Sequence, residues 1–121
     1  RLTGYGLDGR LRLLTHPFWT SPHPLWALPA DLRQTLAAAD LIISKGDANY
    51  RRALGDAQWP HITPISSIVS YLPTTVLFLR TGKSEVLAGL SEATLAKMSQ
   101  AEADWLINGR WGVIQLAERA G

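Results

Sequence analysis

Short apolar runs alternate along the chain with segments in which apolar residues recur at helical spacing. Four of these runs have the length and composition of strands, and they cover Leu11–Thr15, Leu41–Ser44, Thr75–Leu79 and Gly112–Leu116. Strands that are apolar throughout are typical of a sheet that is covered on both faces. The pattern therefore predicts an α/β chain with a small, mostly parallel sheet flanked by helices.

Helix signals fill the segments between the predicted strands. The predicted helices cover residues 31–39, residues 48–54, a segment that starts at Thr63 and Pro64, and two short helices within residues 91–108. Thr63 would cap its helix, and Ser99 with Glu102 matches a capping box. Four prolines among residues 16–29 exclude a regular helix there, so this segment is predicted to be an ordered loop.

Composition and charge narrow the class of protein. The 121 residues are 46% apolar and 18% charged, which fits one globular domain with a modest core. The net charge of +2 is too small to attract nucleic acid or a membrane surface, so neither partner is expected. The chain has no cysteine, which excludes disulfides and thiolate zinc sites. It also has no apolar run near the roughly 20 residues of a membrane span, so the cytoplasm is the expected compartment.

Polar residues follow two of the predicted strands at the point where each strand ends. The first cluster covers residues 45–51 and the second covers residues 80–83. Ligands of open parallel sheets bind beyond the carboxyl ends of the strands. Lys45, Arg80 and Lys83 bring positive charge to this end, and the predicted helix start at residues 47–49, within the first cluster, also favours an anion. With Asp47 and Asn49 as hydroxyl ligands, the clusters predict a pocket for a phosphorylated polyol.

Each cluster also has an interpretation that needs no ligand. Asp47 can serve simply as a helix cap. Arg51 and Arg52 can form a solvated helix face, and Arg80 and Lys83 can be ordinary loop residues. By pattern alone these interpretations stay open.

Several stretches, taken in order, resemble one known family. The specific ones are KGDANYR at residues 45–51 and RTGK at residues 80–83. They are accompanied by HPFWTSPH at residues 16–23, WP at residues 59–60 and GRWGVIQ at residues 109–115. Together they resemble the damage-control phosphatase family, in particular its acidic-residue methyltransferase-like branch, over most of the chain.

The resemblance implies an α/β enzyme that hydrolyses phosphate esters, such as sugar phosphates, with a divalent metal (Mn²⁺, Co²⁺, Ni²⁺ or Mg²⁺). The family holds this metal with an Asp-Asn pair and a further Asp that precede the HPFWTSPH stretch. Since no Asp-Asn dipeptide occurs in this chain, none of its residues is assigned as a metal ligand. Residues 1–121 are therefore interpreted as the C-terminal part of a larger three-layer α/β domain, without its metal-binding part.

The resemblance also implies roles for particular residues. The candidate catalytic residues are Asp47 and Lys83, and the candidate substrate-binding residues are Lys45, Asn49, Arg51, Arg80 and Thr81. Gly82 stands where the family often has a larger apolar residue, which predicts a looser loop. The expected partners are a phosphorylated small molecule and the missing N-terminal half, either in the same protein or as a separate chain. The chain alone is expected to have little or no turnover.

Two other functions stay open. A catalytically inert binding or assembly module is one, because a truncated α/β domain exposes apolar surface that recruits a partner. Protein carboxyl methyl transfer ranks lower, because the sequence shows no glycine-rich cofactor loop followed by an acidic residue that would bind a ribose. The spacing Gly4-x-Gly6-x-x-Gly9 precedes a predicted strand, so it does not match a dinucleotide-binding turn.

Overall fold

The computed structural model describes residues 9–119. The strands are β1 (Ile42–Lys45), β2 (Val76–Thr81) and β3 (Gly112–Ala117). The α-helices are α1 (Ala30–Ala37), α2 (Asp47–Ala53), α3 (Ile65–Ile68) and α4 (Glu92–Ala101), and two 3₁₀ helices span Pro17–Thr20 and Leu25–Ala27. The predicted α/β class is confirmed. No helix within the described range is long and apolar enough to cross a membrane.

The three strands form one mixed sheet in the order β1-β2-β3. β1 pairs with β2 in parallel, with Lys45 opposite Leu79. β3 pairs with β2 in the antiparallel sense, with Gly112 opposite Thr81. A parallel pair needs a crossover connection, which α2 and α3 provide here. As a result, β1 and β2 both end at the same edge of the sheet, and β3 begins there.

The core lies between one face of the sheet and the crossover helices. Val76 and Phe78 of β2 are fully buried. Tyr50 of α2 and Leu54, the residue that follows α2, are fully buried with them. The rings of Tyr50 and Phe78 meet edge to face, with their centroids 5.5 Å apart. Because side chains alternate between the faces of a strand, Leu77 and Leu79 point to the other side of the sheet.

That other side, which we call the bare face, is formed by Ile43, Leu77, Leu79, Ile114 and Leu116. Ile43 is 62% exposed, Ile114 is 79% exposed and Leu116 is 51% exposed. The prediction that both faces are covered is therefore wrong for the described residues.

Some predicted elements differ from the observed ones. Residues 11–15 do not form a strand: Leu13 and Leu14 are exposed, and residues 9–119 offer them no neighbouring strand to pair with. Thr63 is not a helix cap. Pro64, with ψ at 129°, is still outside the helix, so the cap falls there and α3 begins at Ile65.

The segment 91–108 contains one helix where two were predicted. Ser91 caps α4, and its side-chain oxygen accepts the Thr94 N–H at 3.1 Å. Ser99 lies inside this helix, so the predicted capping box with Glu102 is wrong. Helix α4 instead ends at Ala101, and Glu102, the next residue, has an extended backbone.

The proline-rich segment is an ordered loop, as predicted, and Arg52 holds it. The Arg52 guanidinium donates to the carbonyls of Phe18, Trp19 and His23 and to the Ser21 hydroxyl, at distances of 2.5 to 2.9 Å. It also lies 4.4 Å from the centre of the Phe18 ring. Arg52 is therefore not part of a solvated helix face.

Candidate functional site

The two predicted clusters meet in one cleft at the sheet edge where β1 and β2 end. This cleft has a volume of about 560 Å³, and β3 forms its third side through residues 112–114. The predicted site residues that line it are Lys45, Asp47, Arg80, Thr81 and Lys83. The topology explains the meeting, because parallel strands bring their carboxyl ends to the same edge.

Gly46 makes the turn that places Asp47 in the cleft. Its φ of 103° lies in a region that other residues rarely adopt, and its N–H donates to the Leu79 carbonyl at 2.8 Å. The chain therefore leaves β1 while still bonded to β2. Helix α2 starts at the next residue, which is Asp47.

Arg80 forms a buried ion pair with Asp47. Its Nε lies 2.8 Å from Asp47 Oδ1, and the two side chains are 2% and 17% exposed. The Arg80 Nη2 donates to the Ser84 carbonyl at 3.0 Å and to the Ser84 hydroxyl at 2.9 Å. Arg80 is thus held within the protein, beneath the surface of the cleft.

A second layer of contacts supports this ion pair. The Tyr50 ring lies under the Arg80 guanidinium, at 4.5 Å from its centre. The Tyr50 hydroxyl donates to Gln115 Oε1 at 2.8 Å, and Gln115 Nε2 donates to the Ala88 carbonyl at 2.6 Å. Burial raises the pKa of the Tyr50 phenol, so this group stays neutral at physiological pH.

Sequence reasoning missed three members of this arrangement: Ser84, Tyr50 and Gln115. Each had a weak local signal. Ser84 directly follows the RTGK stretch, Tyr50 lies inside KGDANYR, and Gln115 is the polar residue of an otherwise apolar predicted strand.

Lys45, Thr81 and Lys83 are the exposed members of the cleft. Within residues 9–119, no ion pair is recorded for either lysine. The cleft therefore presents two ammonium groups, a hydroxyl and one carboxylate edge to the solvent. Such a set suits an anion that also carries hydroxyl groups.

Two predicted site residues lie elsewhere. Asn49 lines a neighbouring groove that shares Lys45 with the cleft, and its amide donates to the Lys45 carbonyl at 2.8 Å. Arg51 lines a different cavity, where its guanidinium donates to both carboxylate oxygens of Asp56 at 2.8 and 3.0 Å.

The loop before Lys83 is held at Gly82, contrary to the predicted looseness. The Gly82 N–H donates to the Trp111 carbonyl at 2.7 Å, and the Gly82 carbonyl accepts the Gly109 N–H at 3.0 Å. A Cβ at Gly82 would lie 3.1 Å from the Leu106 carbonyl oxygen, so the segment packs closely against this loop. The loop therefore depends on the segment 102–111.

Glu102 organises that segment. Its carboxylate accepts the Trp111 indole N–H at 2.5 Å and the Asn108 amide at 2.8 Å, and it pairs with Arg110 at 2.6 Å. The hydrogen bond from Trp111, followed by the Asn108 bond and the Arg110 charge, lowers the pKa of the Glu102 carboxyl. The Glu102 side chain thus holds residues 108–111 together, and it does not form the predicted capping box with Ser99.

The described residues do not form a metal site by themselves. Residues 9–119 contain no group of three or more His, Asp or Glu side chains that could hold a metal. Among them, Asp47 is the one carboxylate that lines the cleft, and its Oδ1 is bound to Arg80. A divalent cation needs several oxygen ligands, and these residues do not supply them.

Comparison with known proteins gives consistent matches. The family model of the damage-control phosphatase ARMT1-like domain matches residues 2–98. The damage-control phosphatase ARMT1 of Xenopus laevis is 38% identical over 106 residues, which are 84% of this chain and 24% of that protein. The mouse protein (Mus musculus) of the same name is 36% identical over 115 residues, which are 92% of this chain and 26% of that protein. The human protein of the same name is 35% identical over 104 residues, 83% of this chain and 24% of that protein. The chain thus spans about a quarter of the length of these curated relatives.

Proposed function

We propose, from the premise that this chain belongs to the damage-control phosphatase ARMT1-like domain family, that it forms the C-terminal, substrate-binding part of a phosphatase. The substrates in this proposal are sugar phosphates or related phosphorylated metabolites, and the proposed compartment is the cytoplasm. The relatives are about four times as long, so the remaining part of the active site is proposed to lie in another segment.

The observation that carries the proposal is the single cleft shared by Lys83 and Asp47. In it the Lys83 ammonium contacts the phosphate and offsets the negative charge that develops during transfer. Asp47 Oδ1 is bound to Arg80, while Oδ2 makes no recorded hydrogen bond among the described residues. Asp47 Oδ2 therefore accepts a hydrogen bond that a hydroxyl of the substrate donates.

Lys45 and Thr81 complete the proposed binding surface. Lys45 adds a second cation, and Thr81 adds a hydroxyl at the end of β2. Asn49 reaches the substrate from the groove next to Lys45. Arg51 is not included, because Asp56 holds its guanidinium in another cavity.

A divalent metal, when bound, would polarise the phosphoryl oxygens and activate the attacking water. The described residues do not provide its ligands, so the proposal places these ligands in the remainder of a longer protein. It follows that the chain alone should show little or no turnover. Robust metal-dependent hydrolysis by the isolated chain would contradict this division of roles.

The test is a phosphatase assay of the full-length protein with Mn²⁺ and fructose phosphates. Lys83→Ala and Asp47→Asn should each lower kcat/KM by about 100-fold or more, the usual effect of removing a group that stabilises the transition state. Lys97→Ala, on helix α4, is the matched control and should leave kcat/KM unchanged. Unchanged turnover in both cleft variants would refute the site.

The bare face supports a second candidate function, an assembly module. Ile43, Ile114 and Leu116 expose apolar surface that a monomeric protein rarely leaves open. We propose that the remainder of the same protein covers it, because the relatives are about four times as long. Light scattering should then show self-association of the isolated chain, which Ile114→Lys should weaken. A clean monomer would count against this function.

A further inference from the structure

We propose that Arg80 is a positioning residue that sets the separation between Asp47 and Lys83, and that it is not a phosphate ligand. The inference rests on the proposed function, because it concerns the same cleft. The RTGK motif suggests that Arg80 contacts the substrate. Arg80 instead connects the two turns of the cleft by hydrogen bonds.

The first argument is access. The Arg80 side chain is 2% exposed, so a phosphate in the cleft does not reach its guanidinium without displacing the protein around it. Three of its N–H groups are already used, one by Asp47 Oδ1 and two by Ser84. A phosphate that approached from the side of Asp47 and Ser84 would have to break charge-assisted hydrogen bonds that are already formed. Nη1 makes no hydrogen bond among residues 9–119, but the 2% exposure of the side chain leaves a phosphate little access to it.

The second argument is where the partners lie. Asp47 follows β1, whereas Ser84 follows Lys83 in the turn after β2. The guanidinium is a rigid planar fork, so donors to both partners fix their relative position. The Ser84 hydroxyl also lies 3.4 Å from Asp47 Oδ1, which brings the two turns together at one point. The distance between the proposed catalytic groups therefore depends on this fork.

The third argument is the support beneath the fork. The Tyr50 ring lies 4.5 Å below the guanidinium. The Tyr50 hydroxyl is bound to Gln115 of β3, so the ring is fixed to the far strand of the sheet. This arrangement holds the plane of the guanidinium and keeps its N–H groups directed at Asp47 and Ser84.

The main experiment compares Arg80→Lys with the unchanged full-length protein in steady-state kinetics. Lysine keeps the charge but loses the fork, so Asp47 and Lys83 shift relative to each other. Because misplacement by about 1 Å can cost about 100-fold in rate, we expect kcat to fall at least about 10-fold. KM and the inhibition constant of inorganic phosphate should change less than about two-fold, since Arg80 does not touch the substrate.

A double-mutant cycle separates positioning from a general structural role. In the Asp47→Asn background, Arg80→Lys should cause little further loss of kcat, because the carboxylate that it positions is gone. Effects that multiply would indicate independent roles and would overturn the proposal. Guanidinium ion added to Arg80→Ala should restore part of kcat. The control is Arg33→Lys, an exposed arginine of α1 with the same chemical change, which should leave kcat unchanged.

Ser84→Ala keeps the test informative even if the Arg80 variants fail to fold. It removes one of the two Ser84 contacts and leaves the backbone carbonyl in place, so we expect kcat to fall about three-fold or more with KM unchanged. An unchanged kcat would overturn the proposal, and so would a KM that rises in proportion to the loss of kcat/KM in Arg80→Lys. If Lys83→Ala and Asp47→Asn are themselves without effect, the proposed function fails first, and the two failures are thereby distinguished.

Discussion

Two arginine–aspartate pairs lie at either end of the short helix α2, and they have the same length in different surroundings. In both pairs the arginine Nε is 2.8 Å from a carboxylate oxygen. The Arg80–Asp47 side chains are 2% and 17% exposed, whereas the Arg51–Asp56 side chains are 42% and 57% exposed. Removing one partner of a buried pair leaves an uncompensated charge, while water solvates the survivor of an exposed pair. We therefore expect burial, and not distance, to decide how much each pair contributes to the free energy of unfolding.

The largest effect should come from breaking the buried pair. Asp47→Ala leaves the Arg80 guanidinium buried without its carboxylate, so we expect the free energy of unfolding to fall by about 3 kcal/mol. Urea denaturation at neutral pH measures this change. The control is Asp56→Asn, which removes the charge of the exposed pair but keeps a residue type that tolerates the φ of 52° at this position, and it should have a much smaller effect. Equal losses for the two variants would show that burial does not separate the pairs.

Arg52 extends the comparison to a third arginine. It neighbours Arg51 on the same helix, but its guanidinium binds the loop 16–24 instead of an exposed carboxylate. Arg52→Ala removes four hydrogen bonds to that loop, and we expect the free energy of unfolding to fall by about 2 kcal/mol. Limited proteolysis should also cut the loop faster. Arg52→Lys keeps the charge without the planar fork, so recovery of full stability by this variant would mean that charge alone explains the contact.

The third prediction concerns Glu102 and the way its contribution to stability depends on pH. Its carboxyl pKa is lowered below the ordinary 4.5 in the folded state, chiefly by the Trp111 hydrogen bond, so folding favours the ionised form. The stabilisation is therefore complete above the unfolded pKa and is lost as pH falls through the folded pKa. The melting temperature of Glu102→Gln should lie below that of the unchanged protein at pH 7, and the difference should shrink towards pH 3. A difference that grows on acidification would contradict this sign.

The smallest effect should come from Arg51→Ala. Both partners are exposed, so we expect no measurable change in melting temperature. The Arg51 hydrogen bond lowers the pKa of the Asp56 carboxyl, and in the variant this pKa should return towards 3.8. Titration by NMR would follow it. A clearly lower melting temperature of Arg51→Ala would mean that the exposed pair stabilises the protein as the buried pair does.

Local pattern was sufficient for much of the fold. Four elements lie within two residues of their predicted bounds, because polar or helix-breaking residues delimit each one in the sequence. They are the strands Ile42–Lys45, Val76–Thr81 and Gly112–Ala117 and the helix Asp47–Ala53. The run at residues 11–15 has a similar composition but no neighbouring strand within the described part of the chain, and composition does not reveal whether a neighbour is present.

The location of the candidate site could be predicted from the sequence, but the contacts between its residues could not. The KGDANYR and RTGK stretches locate the cleft, since topology brings the ends of parallel strands together. The pairing of Arg80 with Asp47 joins residues 33 positions apart, and Arg52 reaches residues 29 to 34 positions away. Such contacts depend on tertiary packing, which local periodicity does not encode.

The backbone hydrogen bonds of Gly82 make the cleft depend on a segment that is distant in the sequence. Every site residue predicted from the sequence lies before Ser84, yet the turn that carries Lys83 is held by the backbone of Gly109 and Trp111. A single proteolytic nick between residues 103 and 108 would leave each of those side chains intact and covalently in place. In the nicked molecule Gly109 and Trp111 would be tied to the protein only through β3, so the turn that carries Lys83 would be held less firmly although every predicted motif is intact.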